Sequence, residues 1–376
     1  MPDTPILTTT AEIEELAAEL GRETVIAVDL EAVSMHCYQE KVCLLQFSTP
    51  ERTVLVDPLD VGDLSALAPV LADPGVRKIF HAADYDIRCL NRDFGVVIRG
   101  LFDTMIACQF LGEEKVGLAD VLGKYFGVAL DKQYQRADWA ARPLMDGMIR
   151  YAAEDTRHLH RLVRLLEEKL EARGRLEWVA EEFTLLEQVR FQEQEGPLFL
   201  RAKGAAALGR RQLAVLEELL QWRDREAQRR DRPLFKVIGN KQLLELASGM
   251  PRTLSGLTAV EGVSPRLADR CGKGLLGAIA AGLAVPDIDL PVYPRGERRV
   301  RDAAVDRRFA ALKEWRKEAA AELEMDPGIV INNTLLEEIA RRRPTSCAAL
   351  EVIPGMKNWQ VRVLGKKILE AVANDA

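Results

Sequence analysis

Val25-Ile26-Ala27-Val28-Asp29-Leu30-Glu31-Ala32 reads as a β-strand, apolar and rich in β-branched residues apart from two acids. A strand has a period of two, so Asp29 and Glu31 project from the same face. Two carboxylates facing one way on an apolar strand repel each other unless a cation sits between them. Hard divalent ions such as Mg²⁺ take oxygen ligands of this kind. The spacing alone decides little, because Asp224-Arg225-Glu226 repeats it in a stretch that reads as a solvated helix face. Outward from this strand, further strands are expected at Lys41–Ser48, Thr53–Val56 and residues 77–81, the first two close enough for an antiparallel meander. Helices are expected from about Asp84 to Phe94 and over residues 103–110 and 118–125. From 146 to about 170, Ile149, Ala152, Ala153, Leu159, Leu162, Val163, Leu166 and Leu170 recur at helical spacing, which predicts one long helix. The alternation makes residues 1–200 a mixed α/β domain.

Other acids fall at places where chemistry can use them. Asp86 lies just past the strand at 77–81, near the start of the next helix, where an acid can simply complement the helix dipole. Asp84 immediately precedes the helical pattern and is the expected cap, which leaves Asp86 without an obvious structural task. Tyr151 and Asp155 are four apart, hence on one face of their helix. A phenol beside a carboxylate can orient a water bound to a metal. Tyr134 and Asp138 share that spacing, but their stretch contains Trp139 and Pro143 and no sustained helical period, so the spacing has no facial meaning there. Four carboxylates and a phenol thus occur in the order used by two-metal phosphodiester hydrolases.

The 376 residues, 48% of them hydrophobic, can bury a sizeable core and point to two or three domains. No stretch approaches the ~18 uncharged apolar residues of a membrane helix. Residues 1–10 lack the basic start and apolar run of a secretory signal. Six scattered cysteines, with no C-x-x-C pair and no His at zinc spacing, read as core residues of a reducing, cytoplasmic setting. The net charge of −6 hides an asymmetry: residues 1–200 carry 21 Lys+Arg against 35 Asp+Glu, and residues 201–300 carry 18 against 11. Such asymmetry fits a polyanion partner, although a solvated helix surface produces it too.

Beyond residue 200 the strand signal largely vanishes and the chain repeats itself. Trp222-Arg223, Leu243-Leu244-Glu245, Pro251, Leu257 and Gly262 are followed by Trp315-Arg316, Leu335-Leu336-Glu337, Pro344, Leu350 and Gly355, at offsets of 92 or 93. Each copy reads as a bundle of short helices. Pro286, Pro291 and Pro294 mark a stiff linker between them. The expected layout is a catalytic-type domain at 1–200, a bundle at 206–285, a linker at 286–302 and a second bundle at 303–373.

Three stretches carry a family resemblance. Val28-Asp29-Leu30-Glu31, Phe80-His81-Ala82-Ala83-Asp84-Tyr85-Asp86-Ile87 and Tyr151-Ala152-Ala153-Glu154-Asp155 resemble the three exonuclease motifs of the ribonuclease D family, the tyrosine branch of the DEDD superfamily. Cys43-Leu44-Leu45-Gln46, Leu101-Phe102-Asp103-Thr104 and Lys132 through Leu144 (KQYQRADWAARPL) are similar to further family stretches, the last as close to the eukaryotic exosome-associated exonuclease. The two C-terminal copies resemble HRDC domains. Many relatives carry a bulky or aromatic residue after the second acid of the first motif, where this chain has Ala32.

The resemblance implies a ribonuclease-H-like exonuclease domain, a mixed sheet flanked by helices, followed by two all-α HRDC-type bundles. It implies 3′→5′ hydrolysis of RNA to nucleoside 5′-monophosphates with two divalent ions, Mg²⁺ or Mn²⁺. Asp29, Glu31 and Asp155 would hold the ion that activates water; Asp29 and Asp86 would hold the second. Tyr151 would orient the water with Glu31 as its partner, and Lys132 would meet the terminal nucleotide's phosphate. The expected partner is RNA with a free 3′ end, tRNA precursors above all, handled by a monomer. A DNA exonuclease of the same superfamily and an inactive nucleic-acid-binding scaffold are the alternatives; discriminating RNA needs contacts to the 2′-OH. Charge density in the first bundle, where Arg223, Arg225, Arg229, Arg230 and Arg232 crowd one helix and its exit, makes Arg229 and Arg230 the expected auxiliary RNA contacts.

Overall fold

Six strands form one mixed sheet in a computed structural model that describes residues 4–33, 35–193, 195–294 and 302–373. They are β1 (Ile6–Leu7), β2 (Val25–Val33), β3 (Lys41–Ser48), β4 (Thr53–Val56), β5 (Arg77–Phe80) and β6 (Leu101–Asp103), in the order β1-β4-β3-β2-β5-β6. β3 and β4 pair antiparallel, as the meander required, whereas β2–β5 and β5–β6 are parallel. The parallel register sets Ala27 beside Ile79 and Phe80 beside Asp103, so the carboxyl ends of β2, β5 and β6 lie at the same end of the sheet. β1 escapes sequence reading because two residues carry no period; it pairs parallel to β4.

The motif-bearing helices differ from expectation in three respects. The long helix is two, Asp146–Arg157 and Leu159–Ala172, interrupted at His158. A one-residue break leaves the phase of the apolar pattern intact, so periodicity runs straight through it. Asp84 is not the cap of Asp84–Phe94: the cap position is Ala83 without a side-chain bond, and Asp84 pairs with Arg88 one turn on at 2.9 Å. The helix expected over 103–110 starts at Thr104, because Asp103 ends β6 and caps that helix through Met105 and Ile106.

The helical repeats follow a single offset of 93 residues. Arg210–Arg229, Leu234–Val237, Asn240–Gly249, Leu254–Thr258 and Pro265–Ala284 make the first; Ala303–Leu323, Pro327–Val330, Asn333–Arg342, Cys347–Glu351 and Asn358–Ala373 make the second. The Leu-Leu-Glu match at 92 is therefore a slip, and the fully buried equivalents are Leu243 and Leu336. Arg223, expected among the surface cations, is buried and donates to the Ile238 carbonyl and to Asn240; Arg316 repeats the bond on Ile331. These arginines staple the bundle interiors.

Met1–Ala32, Val42–Phe191 and Val300–Ala376 form one compact unit; Val33–Lys41 and Gln192–Arg299 form the other. Within the first unit, sheet and second bundle share a continuous core. Trp359 stacks on Trp178 with ring centroids 5.0 Å apart and meets Phe110 edge-on at 5.4 Å. Glu181 accepts from the amides of Asn358 and Trp359 at the start of the last helix, and Glu182 takes Lys357 and the Trp359 indole N–H. Within the second unit, the Tyr38 hydroxyl donates to Asp224 and the Tyr38 amide to Asp231. Of the linker expected at 286–302, residues 295–301 lie outside the described residues, as do residues 1–3 of the N-terminal stretch. Among the described residues no helix is long and apolar enough to cross a membrane.

Candidate active site

β2 delivers Asp29 and Glu31 just past its last residue paired with β5, and the turn after β5 delivers Asp86 in the first helical turn. That turn is clamped by Asp103, whose carboxylate accepts from the amides of Ala82 and Ala83 at 3.2 and 2.8 Å as well as from Met105 and Ile106. Ala82 takes a left-handed φ of 69° there, a conformation an alanine adopts only under such constraint. Asp103 is thus a supporting residue; the sequence places it at the start of a helix and within the family-like stretch Leu101-Phe102-Asp103-Thr104, and neither discloses the clamp.

The structure brings Asp29, Glu31, Asp86, Asp155 and Tyr151 into one cluster. Burial pushes Asp29 up to about 7, opposed by the Leu30 amide. Glu31 rises to about 10 through burial and then the charges of Asp29 and Asp155. Burial and then Asp29, Asp103 and Glu31 hold Asp86 well above the carboxylate range, and burial, Asp29 and Glu154 raise Asp155 to about 8. Desolvation and like charge each disfavour the ionised form, and here they act together. Among the described residues no three His, Cys, Asp or Glu side chains are already gathered as a metal cage. The cluster's chemistry fits hard cations: four carboxylates, all raised by burial and three of them further by neighbouring acids, are the set that a divalent ion would relieve.

Tyr151 faces the acids from the helix Asp146–Arg157. Burial raises its phenol far above the usual range, with Asp155, Glu31 and Asp29 adding to the shift, so it is a hydrogen-bond donor at neutral pH and no base. Its ring sits between Trp139 at 5.9 Å and Tyr134 at 6.1 Å, and Gln135 hydrogen-bonds the hydroxyl. Tyr134 therefore has a place in the site that its spacing to Asp138 did not disclose. A cleft of about 970 Å³ opens beside this group, lined by Gln133, Tyr134, Arg150, Tyr151, Glu154 and Asp155 among others. Lys132 is exposed between the lining residues Asp131 and Gln133.

The loop that carries Tyr134, Gln135 and Trp139 is pinned by Arg142. Its guanidinium donates to both oxygens of Asp57, to the Trp139 carbonyl at 2.7 Å and to the Cys43 carbonyl at 2.8 Å. Sequence reading missed this residue because its partners lie 85 and 99 positions away. Arg229 and Arg230 belong to the other unit. Both pair with Glu226, which makes neither a free cation, and Arg230 is largely covered.

Known proteins resemble the chain along its length. A family model described as 3′-5′ exonuclease matches residues 5–171, and the HRDC domain model matches 212–279 and 305–372. Ribonuclease D of Gluconacetobacter diazotrophicus is 33% identical over 372 residues, 98% of this chain and 92% of that one. The crystal structure of Escherichia coli RNase D, an exoribonuclease involved in structured RNA processing, covers 99% of both chains with a TM-score of 0.76 at 26% identity. The catalytic core of RRP6 from Trypanosoma brucei covers 74% of this chain and 79% of that one, with a TM-score of 0.65 at 32% identity.

Proposed function

Since the chain belongs to the ribonuclease D family, and is by that membership a 3′→5′ exoribonuclease with an exonuclease domain and two HRDC domains, we propose that Asp29, Glu31, Asp86, Asp155 and Tyr151 carry its chemistry. The observation behind this is the cluster itself: four carboxylates raised by burial and mutual charge beside a phenol that keeps its proton. Family membership makes the activity divalent-metal dependent; two ions, Mg²⁺ or Mn²⁺, are our reading of the donor count. Asp29, Glu31 and Asp155 would hold one and Asp29 with Asp86 the other. When bound, the ions supply charge neutralisation and a more acidic water at the scissile phosphate.

The chain's own groups do the rest. Tyr151 donates its hydroxyl proton in a hydrogen bond that orients the attacking water, and its ring is held by Trp139 and Tyr134. Asp103 keeps Asp86 aimed by fixing the turn before it. Lys132 meets the phosphate of the terminal nucleotide at the cleft. The substrate we assign is RNA with a free 3′ end, tRNA precursors in particular, acted on by a monomer in the cytoplasm; six free cysteines suit that reducing setting.

Matched RNA and DNA oligonucleotides labelled at the 5′ end, incubated with and without Mg²⁺ or Mn²⁺, test this reading. It requires a ladder that shortens one nucleotide at a time on RNA, only with metal, with 5′-monophosphates released. Internal fragments appearing first, or equal degradation of DNA, would overturn it.

A further inference from the structure

The two helical bundles correspond element for element along the chain, and the same turn has opposite fates in each. After the first helix of each bundle comes a residue in the left-handed conformation, Asp231 (φ 44°) and Glu324 (φ 49°), followed by the one-turn helix Leu234–Val237 or Pro327–Val330. At the offset of 93, Arg232 corresponds to Met325, Phe235 to Gly328 and Lys236 to Ile329.

In the second bundle this turn is spent on the exonuclease domain. Arg175 donates to the Leu323 carbonyl at 2.6 Å, Arg173 pairs with Glu324 at 2.9 Å, and Met325 is buried in the shared core. A Cβ at Gly112 would stand 1.8 Å from the Glu324 carbonyl oxygen, so the two backbones touch. In the first bundle the turn is exposed: Phe235 is 54% accessible, and Arg232, Leu234 and Lys236 are exposed beside it. Arg229 and Arg230 are already paired with Glu226, which partly neutralises the cations of the preceding helix end.

We infer that the turn 232–236 of the first bundle is a binding surface for single-stranded RNA, with Phe235 as a stacking platform for a base and Arg232 and Lys236 as phosphate contacts. An aromatic face flanked by cations is the arrangement that binds single strands without reading sequence, because every base has a π-face and every linkage a charge. The excess of 18 Lys+Arg over 11 Asp+Glu in residues 201–300 gives the occupant its sign. Duplication supplies the contrast: the copy without the aromatic and the cations has the same turn packed on the exonuclease domain. The assignment rests on the exoribonuclease reading only for RNA as the natural strand.

Binding is measured in the full chain with Asp29→Asn, so that labelled single-stranded RNA stays intact, by fluorescence anisotropy across a salt series. Phe235→Ala is expected to weaken affinity roughly five- to 150-fold, the span of base–aromatic stacking. Phe235→Leu, which keeps an apolar contact without a π-face, should lose most of the same affinity, and Phe235→Trp should keep it. Arg232→Glu with Lys236→Glu should lower the logarithmic salt slope by about 1.4, two contacts at ~0.7 each, while Phe235→Ala leaves the slope unchanged. Affinity of Phe235→Ala within twofold of its parent overturns the proposal, whatever the charge reversals do. The wild-type ladder assay decides the exoribonuclease reading separately.

Discussion

Arg142→Ala should damage both the stability of the exonuclease domain and the placement of its phenol. The guanidinium is bidentate on Asp57, whose side chain is 3% exposed against 25% for Arg142 itself. Removing one partner of a buried pair costs about 3–5 kcal/mol, because the other charge is left without compensation. The part-exposed guanidinium places this case near the low end, about 3 kcal/mol. For a domain of this size that corresponds to a fall in Tm of roughly 6–12 °C, read by calorimetry. The same substitution also removes the guanidinium's bonds to the Trp139 and Cys43 carbonyls and loosens the loop that brackets Tyr151. Single-turnover hydrolysis of a 5′-labelled RNA should therefore slow by about ten- to a hundredfold, less than the ~10²–10⁴ lost with a whole acid–base group. If Arg142 acts through Tyr151, Arg142→Ala should cost little more in a Tyr151→Phe background, since residues acting as a unit are not additive. Unchanged kcat at a temperature where the variant is folded, or full additivity in the double variant, would refute the link between pin and phenol.

Asp29→Asn should leave less than a tenth of wild-type kcat with unchanged circular dichroism, because the amide keeps the volume and loses the charge proposed to serve both ions. Tyr151→Phe should slow hydrolysis by ~10²–10⁴ while calorimetric Mn²⁺ binding stays as in wild type. Tyr134→Phe should be nearly silent, since it retains the ring that packs on Tyr151; an exchange of the two behaviours would reverse their roles. Fully buried Lys78 is lowered from its ordinary 10.5 to about 8 by burial, against the charges of Asp73 and Glu187. Between pH 8 and 10.5 the unfolded chain holds a proton that the folded chain has released, so stability rises with pH across that window. Lys78→Met should flatten this slope in urea titrations, and an unaltered slope would assign it to another group.

The acids were legible because their meaning is local. Strand alternation aligns Asp29 with Glu31, helical spacing aligns Tyr151 with Asp155, and neither depends on what lies across the fold. The family resemblance then joined motifs that spacing alone could not rank. What stayed hidden depends on partners distant in sequence. Arg142 finds Asp57 85 residues away, and Lys357 finds Glu182 175 residues away; neither pairing leaves a periodic trace. Asp103 looked like the first residue of a helix because a cap that also clamps a neighbouring turn has the same local pattern as one that does not.

Charge counting fails for a related physical reason. It weighs Arg223, Arg229, Arg230 and Arg232 alike, yet the fold buries the first on a carbonyl, neutralises the next two on Glu226 and leaves the fourth beside an exposed Phe235. A cation paired at short range has little field left for a phosphate, whereas one on an exposed turn keeps it. A count of charges carries none of these differences. The duplication makes the difference visible, because the second bundle retains the interior staple at Arg316 but replaces the cations and aromatic of the exposed turn with Met325, Gly328 and Ile329. Residues kept at the 93-residue offset maintain the bundle, and those exchanged set what each copy touches. Truncating the chain after residue 300 is accordingly a poor test of RNA binding. It would strip Trp359 from Trp178 and Phe110, so any loss of affinity would report a damaged exonuclease domain, whereas substitutions at 232–236 leave that core untouched.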